Sequence, residues 1–94
     1  MTEAELLANV VKAARWRGWW AYHTHDSRRS ESGFPDLVLV RKGRLIFAEL
    51  KSAIGKASQA QAAWLTELYG IETVETYLWR PSDWLTGRID EVLT

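Results

Sequence analysis

Gly33-Phe34-Pro35-Asp36, Leu37-Val38-Leu39-Val40, Arg41-Lys42-Gly43-Arg44 and Leu45-Ile46-Phe47-Ala48-Glu49-Leu50-Lys51 form one continuous stretch, and its reading decides the fold. Leu37 to Val40 is a short aliphatic and β-branched run. Arg41 to Arg44 carries charge and a glycine, as a turn does, and Leu45 to Lys51 reads as a second strand. A two-residue loop at Lys42-Gly43 pairs Arg41 with Arg44 and Val40 with Leu45, and counting outward sets Asp36 opposite Glu49. A four-residue loop closed symmetrically gives the same register. Opposed residues share a face, with β-carbons roughly 4.5–5.5 Å apart. Lys51 lies two positions beyond Glu49 and shares that face. Two carboxylates and an ammonium thus converge at one end of a sheet.

Like charges set opposite each other cost stability. A cation between them offsets that cost. A hard divalent ion is the natural choice, since Mg²⁺ takes one or two carboxylates together with phosphate oxygens of a substrate. The plainer reading is a solvated strand edge with a Glu-Lys pair. A one-residue bulge in the hairpin would shift the register and remove the juxtaposition.

Pro35-Asp36, Glu49 and Lys51 match the PD-(D/E)xK nuclease motif. With Gly33-Phe34 before it, Leu37 after it, Glu49-Leu50-Lys51 and Gln61 ten residues on, the chain resembles the VRR-NUC branch of that superfamily, from about Glu3 to Trp79. Small stand-alone members of that branch occur in phages and bacteria. The resemblance implies an α/β fold with a restriction-endonuclease-like core, ordered α-β-β-β-α-β with a short C-terminal helix and a mixed sheet flanked by helices. It implies a Mg²⁺- or Mn²⁺-dependent DNA endonuclease, with Asp36 and Glu49 on the metal, the Leu50 carbonyl as a further ligand, and Lys51 and Gln61 in catalysis. It also implies branched DNA, including four-way junctions, as substrate and a homodimer as the working form.

Ninety-four residues make one small domain, and a hydrophobic fraction of 47% is enough for a folded core. The absence of cysteine excludes a disulfide framework and a thiolate metal site. No apolar run approaches a membrane span, and the acidic start is unlike a signal peptide, so a cytoplasmic location is expected. Formal net charge is zero, yet residues 1–56 hold ten Lys/Arg against six Asp/Glu, and residues 57–94 hold two against six. The basic half contains the acidic cluster, which suits an anionic substrate steered to a metal; ordinary scatter of surface charge reads nearly as well.

Thr2 to Trp16 reads as a helix capped by Thr2, with Leu6, Leu7, Val10, Val11 and Ala14 as its buried stripe. Glu3 edges that inner face, whereas Glu5 falls on the outer face with Asn9, Lys12 and Trp16. Glu3 is therefore preferred to Glu5 as the helix glutamate that, in similar nucleases, reaches the metal. Complementing the helix dipole is its alternative role. Gly18 ends the helix, and Trp19 to His25 reads as the first strand. His23 and His25 share one face and with Asp26 could bind a transition metal, but no further strong ligand lies nearby, so solvent-facing or DNA-facing histidines are the preferred reading.

Asp26 to Gly33 is a polar loop whose Arg28 and Arg29, helped by Ser27, Ser30 and Ser32, can hold phosphates. A solvated connector is the alternative. Ser58 starts a second helix. Ser58 and Gln61 fit a capping box, while Gln61 also shares a face with Trp64, Leu65 and Leu68. Gln61 is thus either a cap or a polar head beside Lys51, and the resemblance favours the second. Lys56, at this helix's start, suits a phosphate contact. Gly70 closes the helix, and Ile71 to Trp79 reads as a strand parallel to the hairpin's second strand, since a helix intervenes. Pro81 stops it. Ser82 caps a last short helix with Leu85, Ile89, Val92 and Leu93 on its apolar side. Of six tryptophans, Trp19, Trp64 and Trp79 are assigned to the core. Trp16, Trp20 and Trp84 are left for a subunit interface or for stacking on unpaired bases.

Overall fold

In the computed structural model, which describes residues 1–24 and 31–94, the order of elements is helix, three strands, helix, strand and two short helices. They are α1 (Glu3–Trp16), β1 (Trp20–His23), β2 (Leu37–Arg41), β3 (Arg44–Leu50), α2 (Gln59–Tyr69), β4 (Glu75–Trp79), α3 (Pro81–Leu85) and α4 (Arg88–Leu93). The expectations placed on His25, Asp26, Ser27, Arg28, Arg29 and Ser30 lie outside the described residues.

The hairpin closes as the two-residue reading requires. Lys42 at φ 46° and Gly43 at φ 81° both take the left-handed conformation of a primed turn, which matches the twist of the strands it joins. Arg41 pairs with Arg44, Val40 with Leu45 and Leu37 with Ala48, without a bulge. β1 adds antiparallel to β2 and β4 parallel to β3, giving a mixed sheet in the order β1-β2-β3-β4.

One sheet face buries Leu37, Leu39, Ile46, Ala48 and Leu50 against Leu6, Val10 and Ala14 of α1 and against Ile89 and Leu93 of α4. Trp19 and Trp79 complete this core, each 2% exposed. Arg41 locks the C-terminus onto it. Its guanidinium lies 4.6 Å from the centre of the Trp19 ring and donates to the carbonyls of Leu93 and Thr94. The opposite face carries Phe47, which meets Phe34 edge-on at 6.0 Å; Phe34 in turn meets Trp64 of α2 at 5.1 Å.

Several expectations are corrected. The first strand is shorter than Trp19 to His25, because Trp19 turns inward to the core while β1 begins at Trp20. The last strand begins at Glu75, after a turn at residues 72–74. The C-terminal helix is two helices. Pro81 opens α3 at its first position, and Arg80 rather than Ser82 is the N-cap, its amide donating to Asp83 Oδ2 at 2.8 Å. Gly87, at φ 81°, breaks the path before α4 and leaves Leu85 74% exposed, outside the apolar side assigned to it. Trp64 is only half-buried; it packs on Phe34 and donates to the Ser32 carbonyl at 3.1 Å. Trp84 packs against the core.

Candidate active site

The site starts from a turn that only glycine permits. Gly33 has φ 86°, and a β-carbon there would lie 2.4 Å from the Ala60 backbone. Gly33 thus lets the chain approach the first turn of α2 and deliver buried Pro35 and then Asp36 to the start of β2. Thr24 donates to the Asp36 carbonyl at 3.1 Å, so Asp36 continues the ladder one residue beyond β2.

Register then brings the acids together. The Asp36 amide donates to Glu49 Oε1 at 3.2 Å, and Asp36 Oδ2 accepts from the Leu50 amide at 2.9 Å. These two bonds clamp both carboxylates across the hairpin end. Lys51 Nζ stands 3.6 Å from Glu49 Oε2, with its side chain 12% exposed. That distance is long for a hydrogen bond. Asp36, Glu49 and Lys51 thus occupy the shared corner that the hairpin register places them in.

The electrostatics are lopsided. Glu49 is 1% exposed, and its carboxyl is pushed up to about 8, first by burial, then by the adjoining Asp36 carboxylate, with Lys51 pulling the other way. At the far end of the sheet the opposite holds. Arg44 grips Glu75 with two bonds of 2.7 Å and draws its carboxyl below the ordinary value, while the Tyr77 phenol, half-buried beside Glu75, rises to about 12. Glu75 has its counter-charge; Glu49 does not have one of that quality.

Glu49 Oε2 is the telling atom. It is buried, with no hydrogen-bond partner among the described residues. Such an oxygen costs about 1–3 kcal/mol or more when charged, so folds retain one where a ligand completes it. The donors around it are carboxylate and backbone oxygens, with no cysteine in the chain. An all-oxygen set suits Mg²⁺ or Mn²⁺ rather than a soft metal.

The remaining candidates fall into place unevenly. Glu3, with Ala4, Leu7, Asp36 and Leu50, lines a cavity of about 110 Å³ beside the acids. Glu5 is instead spent on its own helix end, where Oε1 accepts from the Thr2 amide at 2.9 Å. Yet among the described residues no three His, Cys, Asp or Glu side chains converge on one point, so Glu3 stands at the rim and not in the cluster. Gln61 adopts the capping reading: Oε1 accepts from the Ser58 amide at 2.9 Å while its own amide donates to Ser58 Oγ at 3.1 Å. Its carbonyl is committed there because Ser58 starts α2 with orphan amides to satisfy. Lys56 and Ser32 lie near this helix start. Arg80 was missed by sequence reasoning. It donates to the carbonyls of Ser52 and Gly55, both at 2.7 Å, and so pins the loop that follows Lys51. A lone arginine after a strand gives no signal of that.

A family model described as the VRR-NUC domain matches residues 1–74. The chain belongs to the VRR-NUC domain family. This is a family of nucleases, and the match covers the hairpin, Gly33 and all of α2, leaving β4, α3 and α4 beyond it. A solved VRR_NUC domain protein superposes on all of this VRR-NUC chain, covering 91% of its own length, with TM-score 0.67 and 18% identity. The structure of Archaeoglobus fulgidus Hjc, a Holliday junction resolvase, aligns over 84% of this chain and 65% of its own, with TM-score 0.49 and 24% identity. The fold is restriction-endonuclease-like, as the sequence resemblance implies. A search of curated proteins finds no match.

Proposed function

We propose that this VRR-NUC chain is a metal-dependent endonuclease that hydrolyses phosphodiester bonds in DNA, selects branched DNA such as four-way junctions, and works as a homodimer. The observation that carries the catalytic part is the Asp36–Glu49 pair, with Glu49 buried, its Oε2 without a hydrogen-bond partner among the described residues, and Lys51 beside it. The preference for branched DNA and the pairing of two copies rest on the family resemblance.

Asp36 and Glu49 would hold the cation, with the Leu50 carbonyl as a further ligand and Glu3 at the rim. The chemistry that Mg²⁺ or Mn²⁺ would supply there is a more acidic water and an offset to negative charge on the phosphate. The protein's own groups do the rest. The Asp36 carboxylate is fixed by the Leu50 amide, so its free oxygen edge is pre-aimed. Lys51 sets a positive charge beside the buried acid, where it orients an attacking water or steadies the charged phosphate. The Arg80 contacts hold the Lys51 loop in place. Arg28, Arg29, Ser30, Ser32 and Lys56 are proposed for the DNA backbone, and Gln61, through its capped end of α2, for positioning.

Cleavage of single-stranded, duplex, flap and four-way-junction DNA, each in Mg²⁺, Mn²⁺ and EDTA, tests activity and substrate together. Wild-type protein is expected to nick the junction in either metal, with no product in EDTA and none from Asp36→Asn. Tight binding with no cleavage, unchanged in Asp36→Asn, would instead assign a non-catalytic binding domain on a nuclease scaffold.

A further inference from the structure

β1 is an edge strand with an unusual outer face. Trp20 is 82% exposed and Tyr22 63% exposed, and both belong to one face because they alternate with Ala21 and His23. Trp20 pairs with Val40 and Tyr22 with Val38. Val38 is two residues from Asp36, so the aromatic face is the one that carries Asp36 and Glu49. Tyr22 is diagonal to Asp36, about 7–8 Å between α-carbons, and Trp20 is one further step of roughly 7 Å along the strand. Val40, 45% exposed, continues the apolar floor.

The charged side chains that line the grooves beside this strip are all cations, of which Arg17 is already paired with Asp90. A groove of about 380 Å³ is lined by Arg15, Trp20, Tyr22, Val38 and Val40 among others. The next groove, about 420 Å³, is lined by Arg17, Trp20, Val40, Arg41 and Lys42 together with Gly18. Among the described residues no Asp or Glu lines either. Arg15 reaches over the edge of β1 to donate to the Ala21 carbonyl at 3.3 Å, so its charge is held beside the aromatics.

The geometry points to this strip as a binding track for a DNA strand with unpaired bases, its bases on Tyr22 and Trp20 and its phosphates beside Arg15 and Lys42. The inference rests on the nuclease reading and names the substrate feature that the sheet face beside the acids accepts. Aromatic faces at successive same-face positions, flanked by cations, are what single-strand binding uses, because every base has a π-face. A second copy of the chain fits poorly. A two-fold contact through this face would set Arg15 and Lys42 of one copy against the same cations of the other. A polyanion neutralises them instead.

The experiment is fluorescence anisotropy of fluorescein-labelled oligo(dT) and of a duplex of equal length, in EDTA so that binding is read without cleavage. The proteins are wild type, W20A/Y22A, W20F, R15Q/K42Q, and Y69A as an exposed aromatic outside the strip. W20A/Y22A is expected to weaken oligo(dT) binding by tenfold or more and duplex binding far less. W20F is expected to retain most of the affinity. R15Q/K42Q is expected to flatten the salt dependence, the slope falling by roughly 0.7 for each phosphate no longer neutralised, while W20A/Y22A leaves the slope unchanged. Y69A is expected to match wild type. Unchanged oligo(dT) affinity in W20A/Y22A, or a change in sedimentation from dimer to monomer in that variant, would overturn the assignment. Neither result touches the Asp36–Glu49 reading, which stands or falls on cleavage in the presence of metal.

Discussion

Replacing Glu49 by Gln is expected to raise the melting temperature of the EDTA-treated protein above pH 7 while abolishing cleavage. The Glu49 carboxyl is pushed up to about 8 in the folded chain, from an ordinary value of 4.5. Between those values the folded state holds a proton that the unfolded state has released. Stability contributed by this group is therefore full below about pH 4.5 and is lost as pH rises through 8. Once Glu49 is ionised the loss is on the order of 3–5 kcal/mol. Glutamine has the same shape, carries no charge, and can keep the acceptor bond from the Asp36 amide. The variant should lack the downward slope and melt about 12 °C or more above wild type near pH 9. Thermal melts from pH 5 to 9 check this. A flat wild-type profile, or a glutamine variant that melts lower at every pH, would refute the origin assigned to the shift.

Lys51 and Asp36 should separate binding from chemistry. Lys51→Ala removes a positive charge 3.6 Å from Glu49 Oε2 but no oxygen donor. Cleavage of junction DNA is expected to fall by about 10²–10³-fold, the effect of losing one preorganised charge-stabilising group, while the protein still takes up a divalent ion. Asp36→Asn removes a ligand, so uptake and cleavage should be lost together. Single-turnover rates and metal uptake measured on the same preparations would show this split. A Lys51→Ala protein as active as wild type would remove Lys51 from the chemistry.

The hairpin was legible in the sequence because two independent signals agree on it: a short apolar, partly β-branched run in each strand, and a Lys-Gly turn suited to positive φ. Period-two counting then carried the register outward to Asp36 and Glu49 without knowledge of the tertiary fold. α1 was legible to its cap, since Thr2 and Glu5 form the box and the apolar stripe has helical spacing. The parallel β4 followed from the intervening helix. The misses have physical causes. Trp64 has the helical position of a core residue, but Phe34 occupies the space beneath it and the Ser32 carbonyl draws its indole N–H outward. Leu85 fits an apolar stripe only if the C-terminal helix is continuous, and Gly87 interrupts it. Gln61 satisfied two patterns at once, and the local one won because orphan amides at a helix start are met by the nearest acceptor. The burial of Glu49 could not be read from alternation, which fixes a face but not what covers it.

Calorimetric titration of Mn²⁺ into the protein at pH 7.5, repeated in buffers of different ionisation enthalpy, tests the Asp36–Glu49 corner most directly. Saturable uptake with release of a proton is expected, because the ion must displace the one that Glu49 retains near neutral pH. Uptake should disappear in both Asp36→Asn and Glu49→Gln. No saturable heat, or the same uptake in those two variants as in wild type, would contradict the proposal that this corner grips a divalent cation.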